Sequence, residues 1–254
     1  MHPDLLGLPF ENVSFPSTDG VPLKGWFIPA EGSEKTIIVC HGWGAEMSNV
    51  LPSTAFLHKG GYNLFYFDFR NHGESGGTVS SIGPLESRDF EAAIQFLQKN
   101  KAGSVRWMGV FGLSMGGAVS LTMTAHKPIL KAVVAESSFS SFNESVARYA
   151  KLFYGVPRIP LVPITLFFVR WRLGMDPEEF SPLHHIHRIS PRPVLLIQGD
   201  EDIRMPPSEG RILYEKAREP KELWTVPGAD HGEAHSKDPQ TYERKVLEFY
   251  GSAP

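Results

Sequence analysis

Val105-Arg106-Trp107-Met108-Gly109-Val110-Phe111-Gly112-Leu113-Ser114-Met115-Gly116-Gly117 runs without a break into Ala118-Val119-Ser120-Leu121-Thr122-Met123. The first half is a short apolar run of strand length, the second half is apolar and small, and the join is Gly112-Leu113-Ser114-Met115-Gly116. That join fits the G-x-S-x-G pattern of a nucleophile elbow. In an elbow, glycines let a buried strand turn sharply into a helix and leave the serine oxygen at the tip.

Outward from this stretch the chain alternates. Thr36 to Cys40 reads as a strand buried on both faces and Tyr62 to Phe67 as the next strand, with Val50 to Lys59 and Pro84 to Asn100 at helical spacing after them. The elbow strand and a helix to about His126 follow, then a strand from Leu130 to Ala135. After a long interruption come a strand from Val194 to Gln198, a helix from Pro207 to Arg218, a strand from Glu222 to Val226 and a closing helix from Pro239 to Tyr250. Strands separated by helices predict an α/β fold, a mostly parallel sheet with helices on both faces. Val13 to Phe15 and Val21 to Ile28 around Asp19-Gly20 predict an antiparallel opening.

The interruption, 137–191, carries Pro157, Pro160, Pro163, Pro177 and Pro182 among Leu161, Val162, Ile164, Leu166, Phe167, Phe168 and Trp171. A connection that long and apolar predicts a cap or lid inserted into one domain spanning 1–254. Leu161 to Trp171 is too short and proline-rich to cross a bilayer. Three uses remain for it, taken in order: packing onto the core, lining a pocket for an acyl or aromatic group, and contact with a membrane surface.

The 254 residues carry a net charge of -3 and no basic run, which gives no reason to expect nucleic acid or an anionic membrane as a partner. The N-terminus lacks a basic region followed by a long apolar core, so a cytoplasmic protein is expected. Cys40, the single cysteine, excludes an internal disulfide and ends an apolar run, which predicts a buried core thiol. His184, His185 and His187 cluster, but no nearby spacing completes a metal ligand set, and neither metal nor cofactor is expected.

The elbow pattern occurs twice, since Gly73-Glu74-Ser75-Gly76-Gly77 also matches. Ser75 lies past its strand in a polar loop whose helix begins only near Pro84. Ser114 stands between a strand and an immediate helix, which selects it as the nucleophile. A serine hydroxyl needs a base to remove its proton, and the base needs an acid to fix its tautomer. Two later strand ends supply candidates: Asp200, Glu201 and Asp202 in one loop, His231 and His235 in the other. Glu136, at the end of an earlier strand, is a further acid.

Together these features resemble the α/β-hydrolases, specifically single-domain serine esterases, from about Thr36 to Tyr250 and less so in the cap. The family's H-G-x-x-D-x-x-V-P loop maps onto Gln198, Gly199, Asp202, Met205 and Pro206, which implies Asp202 as the acid. Gln198 replaces His and Met205 replaces Val, and neither departure is expected to touch the carboxylate. The closing G-x-G-H pattern falls on Gly228-Ala229-Asp230-His231 and implies His231 as the base, with Asp230 pointing away. Asp68-Phe69-Arg70-Asn71-His72-Gly73-Glu74-Ser75 resembles the family's D-x-R-G-x-G-x-S loop, taken as structural. In this fold the oxyanion is held by backbone N–H groups, which implies Met115 and Trp43, with Gly44 as an alternative, and His41 ordering their loop.

The resemblance implies a carboxylesterase acting on small ester substrates of short to medium acyl chain. Lipase or monoacylglycerol lipase, thioesterase and peptidase share the same triad. A ligand-binding protein on the same fold, keeping some or all of the triad while turning over slowly, is the competing class. Haloalkane dehalogenation is disfavoured because it uses an aspartate where this chain has Ser114.

Overall fold

The computed structural model describes residues 1–254. Eight strands form one sheet: β1 (Glu11–Pro16), β2 (Pro22–Ile28), β3 (Lys35–Cys40), β4 (Asn63–Phe67), β5 (Trp107–Leu113), β6 (Leu130–Glu136), β7 (Val194–Gly199) and β8 (Lys221–Val226). Their order is β1-β2-β4-β3-β5-β6-β7-β8. β2 pairs antiparallel with both neighbours, and every pair from β4 to β8 is parallel, so β2 alone runs against the rest. The chain visits β3, then β4 on one side, then β5 on the other. That reversal opens a crevice at the carboxyl ends of β3 and β5, where ligands bind in sheets of this kind.

Successive side chains of a strand face opposite ways, and each face buries one apolar set. Ile38, Phe65, Val110, Val133 and Leu196 meet Phe90, Ala93 and Leu97 of α3 (Pro84–Asn100), Val119 and Met123 of α4 (Met115–His126), and Leu213 of α8 (Pro207–Lys216). Ile37, Val39, Leu64, Phe111, Val134 and Ile197 meet Val50 and Leu51 of α1 (Met47–Thr54), Leu57 of α2 (Phe56–Lys59), Ala234 of α9 (Ala234–Lys237), and Tyr242, Val246 and Tyr250 of α10 (Pro239–Ser252). The helix expected over Val50 to Lys59 is thus two pieces hinged at Ala55, with Pro52 inside the first. The four-residue α9 carries too little periodicity to be read from sequence.

Between β6 and β7 lie α5 (Phe142–Tyr154), α6 (Leu161–Leu173) and α7 (Pro182–His185). α5 is amphipathic, capped by Ser141, whose Oγ accepts the Glu144 N–H, and ended by Gly155 in the left-handed region. α6 packs against α5, yet only Val162 of its thirteen residues is buried. Packing onto the core, the first reading of this apolar run, is therefore not what the helix does.

One steric requirement positions the elbow. A Cβ at Gly116 would collide with the carbonyl oxygens of Cys40 and His41, and one at Gly112 with the carbonyl of Gly116. Helix α4 starts at backbone contact with the end of β3, a distance only glycine permits. Replacing Gly116 by Ala should cost roughly 3 kcal/mol, because the obstacle is buried backbone that cannot step aside. Gly103→Ala, at a site with open space around it, should stay within about 0.5 kcal/mol in the same urea denaturation series.

Candidate active site

The parallel register brings the strand ends together. Cys40 is opposite Gly112, Leu113 opposite Glu136, Glu136 opposite Ile197, and Gly199 opposite Val226. The loops that follow β3, β5, β6, β7 and β8 consequently share one rim.

Ser114 caps α4 with φ 56° and ψ −117°, a conformation that side chains rarely adopt. Two neighbours hold it there: its N–H donates to Glu136 O at 2.9 Å, and its O accepts the Ala118 N–H at 3.0 Å. Ser75, the rival match, is tied into its loop instead, donating Oγ–H to Asp68 O at 2.7 Å and accepting the Lys24 N–H at 3.0 Å.

Asp202 is buried, and both carboxylate oxygens are engaged. Oδ1 accepts the N–H groups of Arg204 at 3.0 Å and Met205 at 2.7 Å, while Oδ2 lies 2.9 Å from His231 Nδ1. Gln198 Nε2 also approaches Oδ2, at 3.4 Å, and donates to Met205 O. The expectation that the two departures leave the carboxylate untouched is corrected at Gln198, whose side chain reaches it; at position 205 the contact is a backbone N–H that valine would also supply. A carboxylate fixed by donors on one oxygen is a rigid acceptor for an imidazole N–H on the other, which sets the tautomer that leaves Nε2 free to take a proton.

Of the remaining candidates, Glu201 is exposed with its side chain unengaged, and the others are occupied elsewhere. Asp200 Oδ1 accepts the Gly228 N–H at 2.6 Å, and His235 Nε2 meets Glu243 Oε1 at 3.1 Å with its ring stacked on Phe56. Asp230 does not point away from its neighbour; its Oδ1 accepts the His231 N–H at 2.7 Å. Glu136 is buried, its carboxyl pushed above the usual range by desolvation, and it accepts Tyr242 O–H at 2.6 Å and the Ala234 N–H at 3.3 Å. Ser137, at φ 50°, accepts the Gly232 N–H at 3.3 Å. Glu136 and Ser137 thus bridge the elbow, through Glu136 O, and the histidine loop. Tyr242 lies 106 residues from Glu136, and no local pattern announces that pair.

His231 bonds through Nδ1 and its backbone N–H, and the bond from Ser114 Oγ to Nε2 is not formed. The two loops are nonetheless in contact, since a Cβ at Gly232 would lie 3.3 Å from Leu113 Cδ1. Such hydrogen bonds are often long before substrate binds and tighten around it.

Two histidines shape the loop after β3. His41 is buried; its Nδ1 faces Gly42 O at 2.8 Å and its Nε2 accepts the Phe69 N–H at 3.0 Å. His72 Nδ1 faces Arg70 O at 2.8 Å, and its Nε2 accepts the Gly44 N–H at 3.1 Å. Gly44 has therefore spent its donor, which removes it as an oxyanion ligand. Gly42 lies against the nucleophile, a Cβ built there falling 3.7 Å from Ser114 Oγ, and Trp43 is the next residue. The Met115 N–H opens α4, where the first backbone donors have no partner within the helix.

The model of the serine aminopeptidase family S33 matches residues 31–173. Over 239 residues the chain is 35% identical to the uncharacterized protein YqkD of Bacillus subtilis, covering 92% of this chain and 77% of that one. Over 251 residues it is 31% identical to the uncharacterized protein YfhR of Escherichia coli K12, covering 96% and 81%. The Pyrococcus furiosus esterase Pf2001 superposes with a TM-score of 0.83 at 28% identity, over 100% of this chain and 96% of that one.

Burial holds His41 neutral, its pKa lowered to about 3. Unfolded, it titrates near 6.5, so between those values unfolding takes up a proton, and the stability present above about pH 6.5 is lost as pH falls. Wild type should lose about 1.4 kcal/mol per pH unit more than His41→Gln below about pH 6. Urea midpoints at several pH values measure the difference; parallel curves would deny His41 this role.

Proposed function

We propose that this chain, which belongs to the serine aminopeptidase S33 family of α/β-hydrolases, is a carboxylesterase for short to medium acyl chains. The reading rests on one observation above others: the buried Asp202 carboxylate 2.9 Å from His231 Nδ1, on the rim that carries the strained Ser114. Its likeness to the Pyrococcus furiosus esterase supports ester chemistry.

The steps follow from acid–base chemistry. His231 Nε2 takes the Ser114 proton as Oγ attacks the ester carbonyl carbon, and the imidazolium that forms is steadied by Asp202. The oxyanion of the tetrahedral intermediate lies between the N–H groups of Met115 and Trp43. Such backbone donors cost nothing to reorient as charge develops, and removing one typically costs about 3 kcal/mol of barrier. Collapse expels the alcohol, protonated by His231, and leaves an acyl group on Ser114. His231 then takes a proton from water, the hydroxide attacks the acyl carbon, and a second collapse returns Ser114 and releases the acid. No cofactor takes part.

Peptide cleavage is a second reading, favoured by the description of the matching family. Parallel assays with p-nitrophenyl acetate, p-nitrophenyl butyrate and alanine p-nitroanilide separate the two. Ester turnover should dominate, Ser114→Ala should abolish it, and Asp202→Asn should lower kcat by about 10⁴-fold while Asp200→Asn leaves it near wild type. Faster anilide cleavage would favour the peptidase, no turnover in wild type would leave the chain a binding protein, and equal turnover in wild type and Ser114→Ala would sink the serine-enzyme reading. An acyl series from acetate to palmitate should peak at the short to medium end.

A further inference from the structure

The segment 145–175 contains five basic residues, Arg148, Lys151, Arg158, Arg170 and Arg172, and no acidic one, in a chain of net charge -3. The same segment carries a cluster of exposed large apolar side chains. On α6, Phe167 is 64% exposed, Phe168 56% and Trp171 73%, and Tyr154 at the end of α5 is 80% exposed. Three of the cations reach acids outside the segment, Arg148 to Glu209, Arg158 to Glu144 and Arg170 to Asp176. Lys151 and Arg172 reach none, so the segment keeps unneutralised positive charge.

We propose that α6 and the end of α5 dock this protein on the surface of an anionic phospholipid bilayer. Water penalises a contiguous aromatic face of this kind, and a monomer seldom carries one without a use for it. α6 is about 20 Å long, shorter than the roughly 30 Å hydrocarbon core, so it lies in the interface and does not span it. Aromatic rings at the level of the lipid headgroups, with Lys and Arg beside them, are the pattern of helices that bind membranes in plane. The cations choose the lipid, since basic residues at the surface are attracted by anionic headgroups and indifferent to zwitterionic ones. A second copy of the chain fits less well. A two-fold contact through this face would set the unpaired charges of both copies together. The docking does not depend on the esterase reading.

Flotation of the full chain with vesicles tests it. Binding is expected to vesicles of phosphatidylglycerol and phosphatidylcholine in equal parts, weak binding to phosphatidylcholine alone, and release as salt rises. Reversing Lys151→Glu with Arg172→Glu should lower partitioning at least about tenfold, from the loss expected per surface charge. Phe167→Ser, Phe168→Ser and Trp171→Ser combined should lower it by a similar factor. All five positions are exposed, and far-UV circular dichroism verifies that the variants fold. A blue shift of wild-type tryptophan fluorescence on anionic vesicles, lost in Trp171→Phe, should accompany binding independently of the multiple variants. The proposal is overturned by an absence of binding to anionic vesicles, by equal binding to both compositions, or by undiminished binding of either multiple variant. A dimer in sedimentation equilibrium that the triple aromatic variant dissociates would also overturn it, by assigning the face to a second copy.

Discussion

The candidate site depends on a place where side chains are forbidden. Gly112 and Gly116 let the start of α4 press against the end of β3 at backbone contact, closer than any Cβ would allow. From that contact follow the sharp turn at Ser114, its positive φ, and the nearness of the β3 loop to the serine oxygen. Residues at such a backbone angle cost free energy and persist only where the surroundings over-determine them. Here the surroundings are a sheet buried on both faces and a carbonyl, Glu136 O, that receives the serine's N–H.

Around that contact each strand end carries one task. The β3 loop is braced by two histidines acting as hydrogen-bonding struts, His41 deep in the core and His72 behind Gly44. The β6 end is braced by Glu136, whose backbone touches the elbow and whose side chain holds Ala234 and Tyr242. Buried polar groups of this kind are costly unless satisfied, and satisfied they hold one geometry. The proposed acid shows the same design, with two backbone donors on one oxygen and an imidazole on the other.

The segment between β6 and β7 obeys different rules. α5 is anchored through Arg148, which reaches Glu209 and the Arg204 carbonyl of the loop that holds Asp202. α6 turns its apolar residues outward. One segment of chain therefore links the loop of Asp202 to a group of exposed apolar side chains.

The architecture was legible in the sequence because the strands of the sheet and the longer helices packed on it carry their own period. Apolar runs such as Thr36 to Cys40, alternating with helical spacing, specify a parallel sheet locally. The elbow could be separated from its duplicate at Ser75 because strand and helix flank it without a gap. Choosing Asp202 and His231 among their neighbours needed family resemblance, since loop residues carry no period. Only the tertiary structure could decide which groups meet across the rim. It spent Gly44 on His72, brought Gln198 beside Asp202, paired Glu136 with Tyr242, and left α6 uncovered. Those outcomes depend on register and packing between segments as far as 106 residues apart. A pattern of local preferences records where the chain turns, and has no term for what it turns to face.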